Sequence, residues 1–149
     1  MALNQFVIFT LLDEKFAIDI MKVDEIIRMM EITPIPKANY FIEGIINLRG
    51  KVIPVIDLKK KLGLEETEYT KTTRIIVVNI RNKKIGVIVD SVDEVVRIDD
   101  NKIEDAPAVS SGIDDNFVTG VAKTDKGLII IIDIEKVFSE EETDSLSNF

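Results

Sequence analysis

Residues 44–58, GIINLRGKVIPVIDL, decide the fold. A glycine opens the stretch, a polar tip (Asn47-Leu48-Arg49-Gly50-Lys51) interrupts two apolar runs, and Asp57 closes it ahead of Leu58-Lys59-Lys60-Lys61-Leu62-Gly63. Apolar, β-branched runs flanking a short polar tip predict a strand, a tight hairpin and a buried return strand. An aspartate just before a lysine-rich segment predicts a helix N-cap. Nothing in the stretch looks like an active site, yet it holds one cation, Arg49, at a defined tip.

Upstream, residues 5–12 (QFVIFTLL) predict a strand, Asp13-Glu14-Lys15 a polar turn, and Phe16-Ala17-Ile18-Asp19-Ile20 the returning strand. From Lys22 to Met29 the period changes. Val23, Ile26 and Ile27 fall at i, i+3, i+4 and predict a helical turn or two. Thr33-Pro34-Ile35-Pro36 stops that helix, because each proline lacks an N–H and restricts the residue before it.

Downstream, after the acidic connector Leu64 to Thr73, the pattern begins again. Residues 74–97 match residues 5–28 at a constant offset of 69, placing Lys84 on Lys15, Asp93 on Asp24, Glu94 on Glu25 and Arg97 on Arg28. The offset then becomes 76, placing Phe117 on Phe41, Gly120 on Gly44 and Asp133 on Asp57, because the second copy carries a longer connector, Ile98 to Asn116. Each copy offers about five short strands and little helix, which suits a small closed antiparallel barrel. Each is also near the size where a single core is marginal, so the two are expected to pack on one another or share strands. The expected plan is an all-β domain over residues 5–138, with barrel subdomains at about 5–63 and 74–138 and strand exchange between them left open. Ile134 to Phe138 reads as a short amphipathic helix, and the acidic, serine-rich residues 139–149 as a flexible tail.

Composition narrows the function. There is no cysteine and no histidine, which removes thiolate chemistry, cysteine-ligated metals, the commonest general base and the commonest transition-metal ligand. A net charge of −8 argues against nucleic-acid binding, which needs a cationic surface to displace counterions. Only 6% of residues are aromatic and none is tryptophan, which disfavours a base-stacking barrel or a proline-rich peptide groove, the main alternatives from another class. No apolar run approaches the roughly 18 residues of a membrane span, and Met1 to Gln5 has no basic segment of a signal peptide. The expectation is a cytoplasmic, non-catalytic binding module without metal or cofactor.

The repeat sorts the candidate residues. Gly44 and Gly120 recur and suggest backbone roles at barrel corners. Asp57 and Asp133 recur, each before a short helical pattern with bulky neighbours, so capping is preferred to a catalytic carboxylate pair. Glu25 and Glu94 recur as well. Arg49 does not, since Asp125 stands at its counterpart, and Asn47, Gly50 and Pro54 are replaced by Lys123, Lys126 and Ile130. The first hairpin tip is therefore the asymmetric feature. Arg49 is either a solvated charge or the partner of a carboxylate such as Glu25, ordering a groove. Val23, Ile26, Ile27, Met29 and Met30 are apolar in excess of what a short helix can bury, and form the other candidate surface.

Taken together, FAIDI at 16–20 with Val23-Asp24-Glu25-Ile26, GIINLRG at 44–50 with PVIDL at 54–58, and Val118-Thr119-Gly120 resemble the CheW family, the coupling proteins of bacterial and archaeal chemotaxis. The resemblance covers roughly residues 5–138 and includes none of the extra domains of the kinase CheA or of CheV. It implies two intertwined five-stranded SH3-like β-barrels with short helices. It also implies an adaptor that links the cytoplasmic tips of chemoreceptors (methyl-accepting chemotaxis proteins) to CheA, is recruited to receptor clusters, and forms rings or arrays with the kinase. The family's receptor-binding positions fall on Val23, Glu25, Gly44, Arg49 and Val95, and a kinase-contact position on Gly120. For Glu25 and Gly44 the resemblance favours contact, whereas recurrence favours structure.

Overall fold

A computed structural model describes residues 3–105 and 117–146. Two hairpins set the plan: β1 (Leu3–Leu11) with β2 (Glu14–Asp19), and β6 (Arg74–Ile80) with β7 (Lys83–Val89). Each turns on two residues with positive φ, Leu12 and Asp13 at 50° and 67°, Arg81 and Asn82 at 50° and 68°. Paired left-handed residues match the right-handed twist of the flanking strands, as in a type I′ turn.

The remaining strands are β3 (Val23–Arg28), β4 (Ile42–Leu48), β5 (Lys51–Asp57), β8 (Ser91–Asp99), the two-residue β9 (Ile103–Glu104), β10 (Val118–Thr124) and β11 (Gly127–Ile132). The sheets do not follow the sequence halves. One has the order β3-β6-β7-β5-β4, and the other β8-β1-β2-β11-β10-β9. Each barrel thus takes its first hairpin from the opposite copy. Barrel I consists of β3 to β7, whereas barrel II consists of β1, β2 and β8 to β11. The division expected at 63/74 therefore separates the two copies but not the two barrels.

The exchange is locked by two parallel ladders in equivalent registers. Val55 pairs with Gly86 in one, and Ile131 with Ala17 in the other. Alternate residues of an exchanged strand enter different cores. On β1, Phe6 and Ile8 fill barrel II while Val7, Phe9 and Leu11 enter a core between the barrels. On β6, Ile75 and Val77 fill barrel I while Ile76, Val78 and Ile80 enter that same shared core. Both faces of these strands are covered, which is why their sequences are continuous apolar runs instead of alternating ones. Phe9 and Phe16 stack at 5.8 Å in the shared core.

The helical turns expected over 22–29 are absent. Ile20–Lys22 makes a single 3₁₀ turn, capped by Asp19 Oδ1, and β3 follows. A β-bulge explains the error. Val23 pairs with Val78 and Glu25 with Val77, so Asp24 is the extra residue. One inserted residue breaks the period of two and imitates helical spacing. The same bulge recurs at Asp93, between Val92 and Glu94 opposite β1.

Gly44 and Gly120 answer to a backbone approach. A Cβ on Gly44 would lie 2.1 Å from the Thr33 carbonyl oxygen, and one on Gly120 would lie 2.7 Å from that of Glu104. Thr33 and Ile45 exchange two 2.9 Å backbone hydrogen bonds across β4, just as Glu104 pairs with Val121 across β10. Both glycines are buried beneath these crossings.

The short helices α1 (Leu58–Lys61) and α2 (Ile134–Val137) follow β5 and β11. Residues 139–146 depart from the expected free tail. Glu140–Leu146 forms helix α3, whose Leu146 and Thr143 are buried. The Arg81 guanidinium donates to Thr143 Oγ1 at 2.7 Å and to the Phe138 carbonyl at 3.4 Å, while Lys61 pairs with Glu142 at 3.3 Å. The acidic segment therefore has a basic seat, which its own composition did not reveal. Residues 147–149 lie outside the described residues.

Gly44→Ala, at φ 151° and against Thr33, is expected to cost at least about 2 kcal/mol in a denaturant titration. Gly50→Ala, at φ 89° with open space around it, should cost only about 1–2 kcal/mol. Equal losses would show that the Thr33 crossing is not the constraint.

Candidate functional site

The tip of the β4–β5 hairpin is a two-residue turn. Leu48 pairs with Lys51, leaving Arg49 and Gly50 with φ of 51° and 89°. Glycine takes this conformation without strain, whereas arginine does so at a cost. Asn47 helps hold it, because its Oδ1 accepts the Gly50 N–H at 2.8 Å. The turn carries Arg49 out to the side chain of Glu25 on β3, and the two form an ion pair and hydrogen bond. Glu25 first, by hydrogen bond and then by charge, raises the guanidinium pKa above its ordinary value. Beside it, Lys84 of β7 pairs with the bulge residue Asp24 at 3.2 Å. Leu48 and Ile53 lie under these charges, closing the end of barrel I except for a cavity of about 170 Å³.

Barrel II ends on the same plan. Lys15 pairs with the bulge residue Asp93, and Lys126 pairs with Glu94. The sequence alignment placed Asp125 opposite Arg49, which made the first tip look unique. The structure corrects that inference, because the cation is displaced by one residue, to Lys126. In the second hairpin Thr124 pairs with Gly127, and the positive φ, 102°, has moved to Gly127. A different turn shape thus delivers a cation to the equivalent glutamate. Lys126, a cation at the tip of the second hairpin, is the signal that could have found it.

The expected site residues do not converge on one pocket. Glu25 and Arg49 touch directly. Val23 begins the same strand, half-buried against the shared core. Val95 lies on β8, opposite Val7, and is 48% exposed. Gly44 is buried under Thr33, and Gly120 is its counterpart in barrel II. Exposed apolar side chains recur in both copies: Ile26 matches Val95, both singled out in the sequence, and Val52 matches Leu128, a pair that was not.

The recurring aspartates act as caps. Asp57 Oδ1 accepts the Lys59 N–H at 3.0 Å, and Asp133 Oδ1 accepts that of Glu135 at 3.0 Å. Asp57 Oδ2 also accepts from the Tyr69 hydroxyl at 2.9 Å, tying the 64–73 connector to α1. Behind it, the buried Lys59 ammonium pairs with Asp90 at 2.5 Å. Burial pushes the Asp57 carboxyl up, against the lowering effect of its three donors, and burial beside Asp57 pushes the Tyr69 hydroxyl strongly up. Among the described residues no group of acidic side chains is arranged to hold a metal ion, and no helix is long and apolar enough to cross a membrane.

A family model described as a CheW-like domain matches residues 5–142. The chain belongs to the CheW-like family. It is 34% identical to the chemotaxis protein CheW of Treponema pallidum, over 97% of this chain and 87% of that one. It is 37% identical to the CheW of Thermotoga maritima, over 93% and 91%. Among solved structures it superposes on the scaffolding protein TtCheW of Thermoanaerobacter tengcongensis with a TM-score of 0.85 and 48% identity, over 93% of this chain and 94% of that one. The two sheets, of five strands and of six counting the two-residue β9, are accordingly the paired SH3-like barrels of the CheW fold, which the sequence reading expected.

The raised Asp57 pKa carries a sign. A carboxyl whose folded pKa lies above its unfolded value favours the folded state most below the unfolded pKa, and that contribution is lost as pH rises through the folded one. Asp57→Asn keeps a capping side chain. Its stability relative to the parent should therefore rise as pH increases from about 4 toward neutrality, measured by urea midpoints. A relative fall over that interval would contradict the assignment.

Proposed function

We propose that the chain is a non-catalytic chemotaxis adaptor that couples chemoreceptors to the histidine kinase CheA, so that receptor state controls autophosphorylation. The observation that carries this reading is the pair of barrel ends, each with a turn cation paired with a strand glutamate, in a chain matching the CheW-like domain nearly throughout. Names of the relatives, chemotaxis protein and scaffolding protein, point the same way. The chain offers contact surfaces on two barrels joined by a shared core.

In this reading the receptor tip, a helical hairpin, lies along apolar side chains between the barrels. Val23, Glu25, Arg49 and Val95 serve as contact positions, and Gly44 shapes the backbone behind them. Gly120 acts likewise on the kinase side, by allowing the Glu104 segment to approach β10. Barrels with related ends can meet head to tail, which favours rings or arrays with the kinase. The adaptor would work in the cytoplasm, recruited to receptor clusters, without cofactor or membrane insertion. The competing reading, a small barrel binding nucleic acid or a proline-rich peptide, is opposed by the net charge of −8 and the 6% aromatic content.

Arg49→Glu should weaken co-sedimentation with a receptor cytoplasmic fragment and leave the thermal midpoint nearly unchanged, since exposed pairs contribute little to stability. Combining it with Glu25→Arg separates the roles: rescue of binding would assign the pair to shaping the surface, and no rescue would assign Arg49 to direct contact. Failure of the parent protein to bind either the receptor fragment or the kinase regulatory domain would end the adaptor reading.

A further inference from the structure

The backbone bonds that hold each exchanged hairpin to its host do not distinguish one copy from the other. Both parallel ladders have the same register, Val55 opposite Gly86 and Ile131 opposite Ala17. The bulge pairs also agree in sign, since Lys84 meets Asp24 and Lys15 meets Asp93. On these contacts alone, two molecules could exchange hairpins like with like, first copy with first and second with second. Lys15 would then meet Asp24, again a pair of opposite charge.

The helix junctions lack that symmetry. Just past each exchanged hairpin, the chain meets the short helix that follows the host strand. After β7, Asp90 accepts a hydrogen bond at 2.5 Å from the ammonium of Lys59 on α1, which also donates to the Thr67 hydroxyl. After β2, Lys22 pairs at 2.7 Å with Glu135 on α2. Lys59 and Glu135 are equivalent at the offset of 76, and Asp90 is equivalent to Met21, the neighbour of Lys22. Equivalent junctions thus carry reversed charges. The first copy supplies both cations and the second copy both anions. Like-with-like exchange would set Lys59 beside Lys22, and Asp90 beside Glu135. The heaviest loss would fall on Lys59, which is only 1% exposed and would be left without a carboxylate.

We propose that this sign reversal is a recognition code between the two copies, closing each chain on itself and rejecting hairpin exchange between like copies of two molecules. Specificity of this kind depends on repulsion in the wrong pairing as much as on attraction in the right one. The inference concerns how the copies select each other and stands apart from the adaptor reading.

The test is refolding of the full chain from urea at about 1 mM, the order of the effective concentration a short linker provides. Lys22→Glu with Glu135→Lys keeps both native junctions oppositely charged but gives each copy one cation and one anion. Its dimer fraction by size exclusion should exceed the parent's at least tenfold. Isotope-filtered NOEs on mixed-label dimers should then join Val55 of one chain to Ala17 of the other, a contact absent from the native ladders. Met21→Asp is a second variant, at a position 83% exposed, that leaves both native pairs in place and offers Lys59 a carboxylate in the like pairing. It should give a smaller rise with the same contact. Barrel I has Ile46 and Ile75 where barrel II has Ala122 and Phe6, but parent and variants share that difference, so their ratio reads charge alone. The proposal is overturned if neither variant dimerises more than the parent, or if the dimers keep Val55 opposite Gly86.

Discussion

The exchange of hairpins between the copies is the constraint on which the rest depends. Neither copy can complete a barrel alone, because β1–β2 closes the barrel containing β8, β10 and β11, while β6–β7 closes the one containing β3, β4 and β5. The parallel ladders β5–β7 and β2–β11 bind each exchanged hairpin to its host. The other face of the same hairpins builds the core between the barrels, with Phe9, Phe16, Ile76 and Ile85 fully buried or nearly so. Removing one hairpin would thus open a barrel and the shared core together. A chain of this size gains from such sharing, since a single copy buries too little apolar surface to be secure.

That frame also explains where function can reside. Residues facing the three cores are committed to packing, and the buried glycines to strand crossings. Freedom remains at the barrel ends and on the outer faces of β3 and β8. There the bulges at Asp24 and Asp93 let neighbouring carboxylates meet a lysine from the exchanged hairpin and a cation from a turn. Each barrel end is therefore assembled from both copies, and charge at the end is positioned by the same exchange that holds the core.

Much of this was legible in the sequence, for definite physical reasons. The repeat survived in the apolar pattern and in Gly44/Gly120 and Asp57/Asp133, residues whose backbone or capping roles tolerate few substitutes. The Arg49–Glu25 pair was foreseen as one alternative because a tip cation needs a carboxylate within reach. The β3 segment was misread because a bulge at Asp24 shifts Ile26 and Ile27 into helical spacing with Val23. The equivalence of Lys126 to Arg49 was hidden because pairing depends on where a turn points its side chains, and alignment by number cannot see a change of turn type. Helix α3 was hidden because its seat, Arg81 with Lys61, comes from distant segments.

The most direct measurement of the central claim is native-state hydrogen exchange on the two parallel ladders. If the exchanged hairpins make the barrels one cooperative unit, the protected amides of Val55–Asp57 and of Ile129–Ile131 will open with the same free energy and the same denaturant dependence. Separate opening energies, with one barrel exchanging while the other remains protected, would contradict the account.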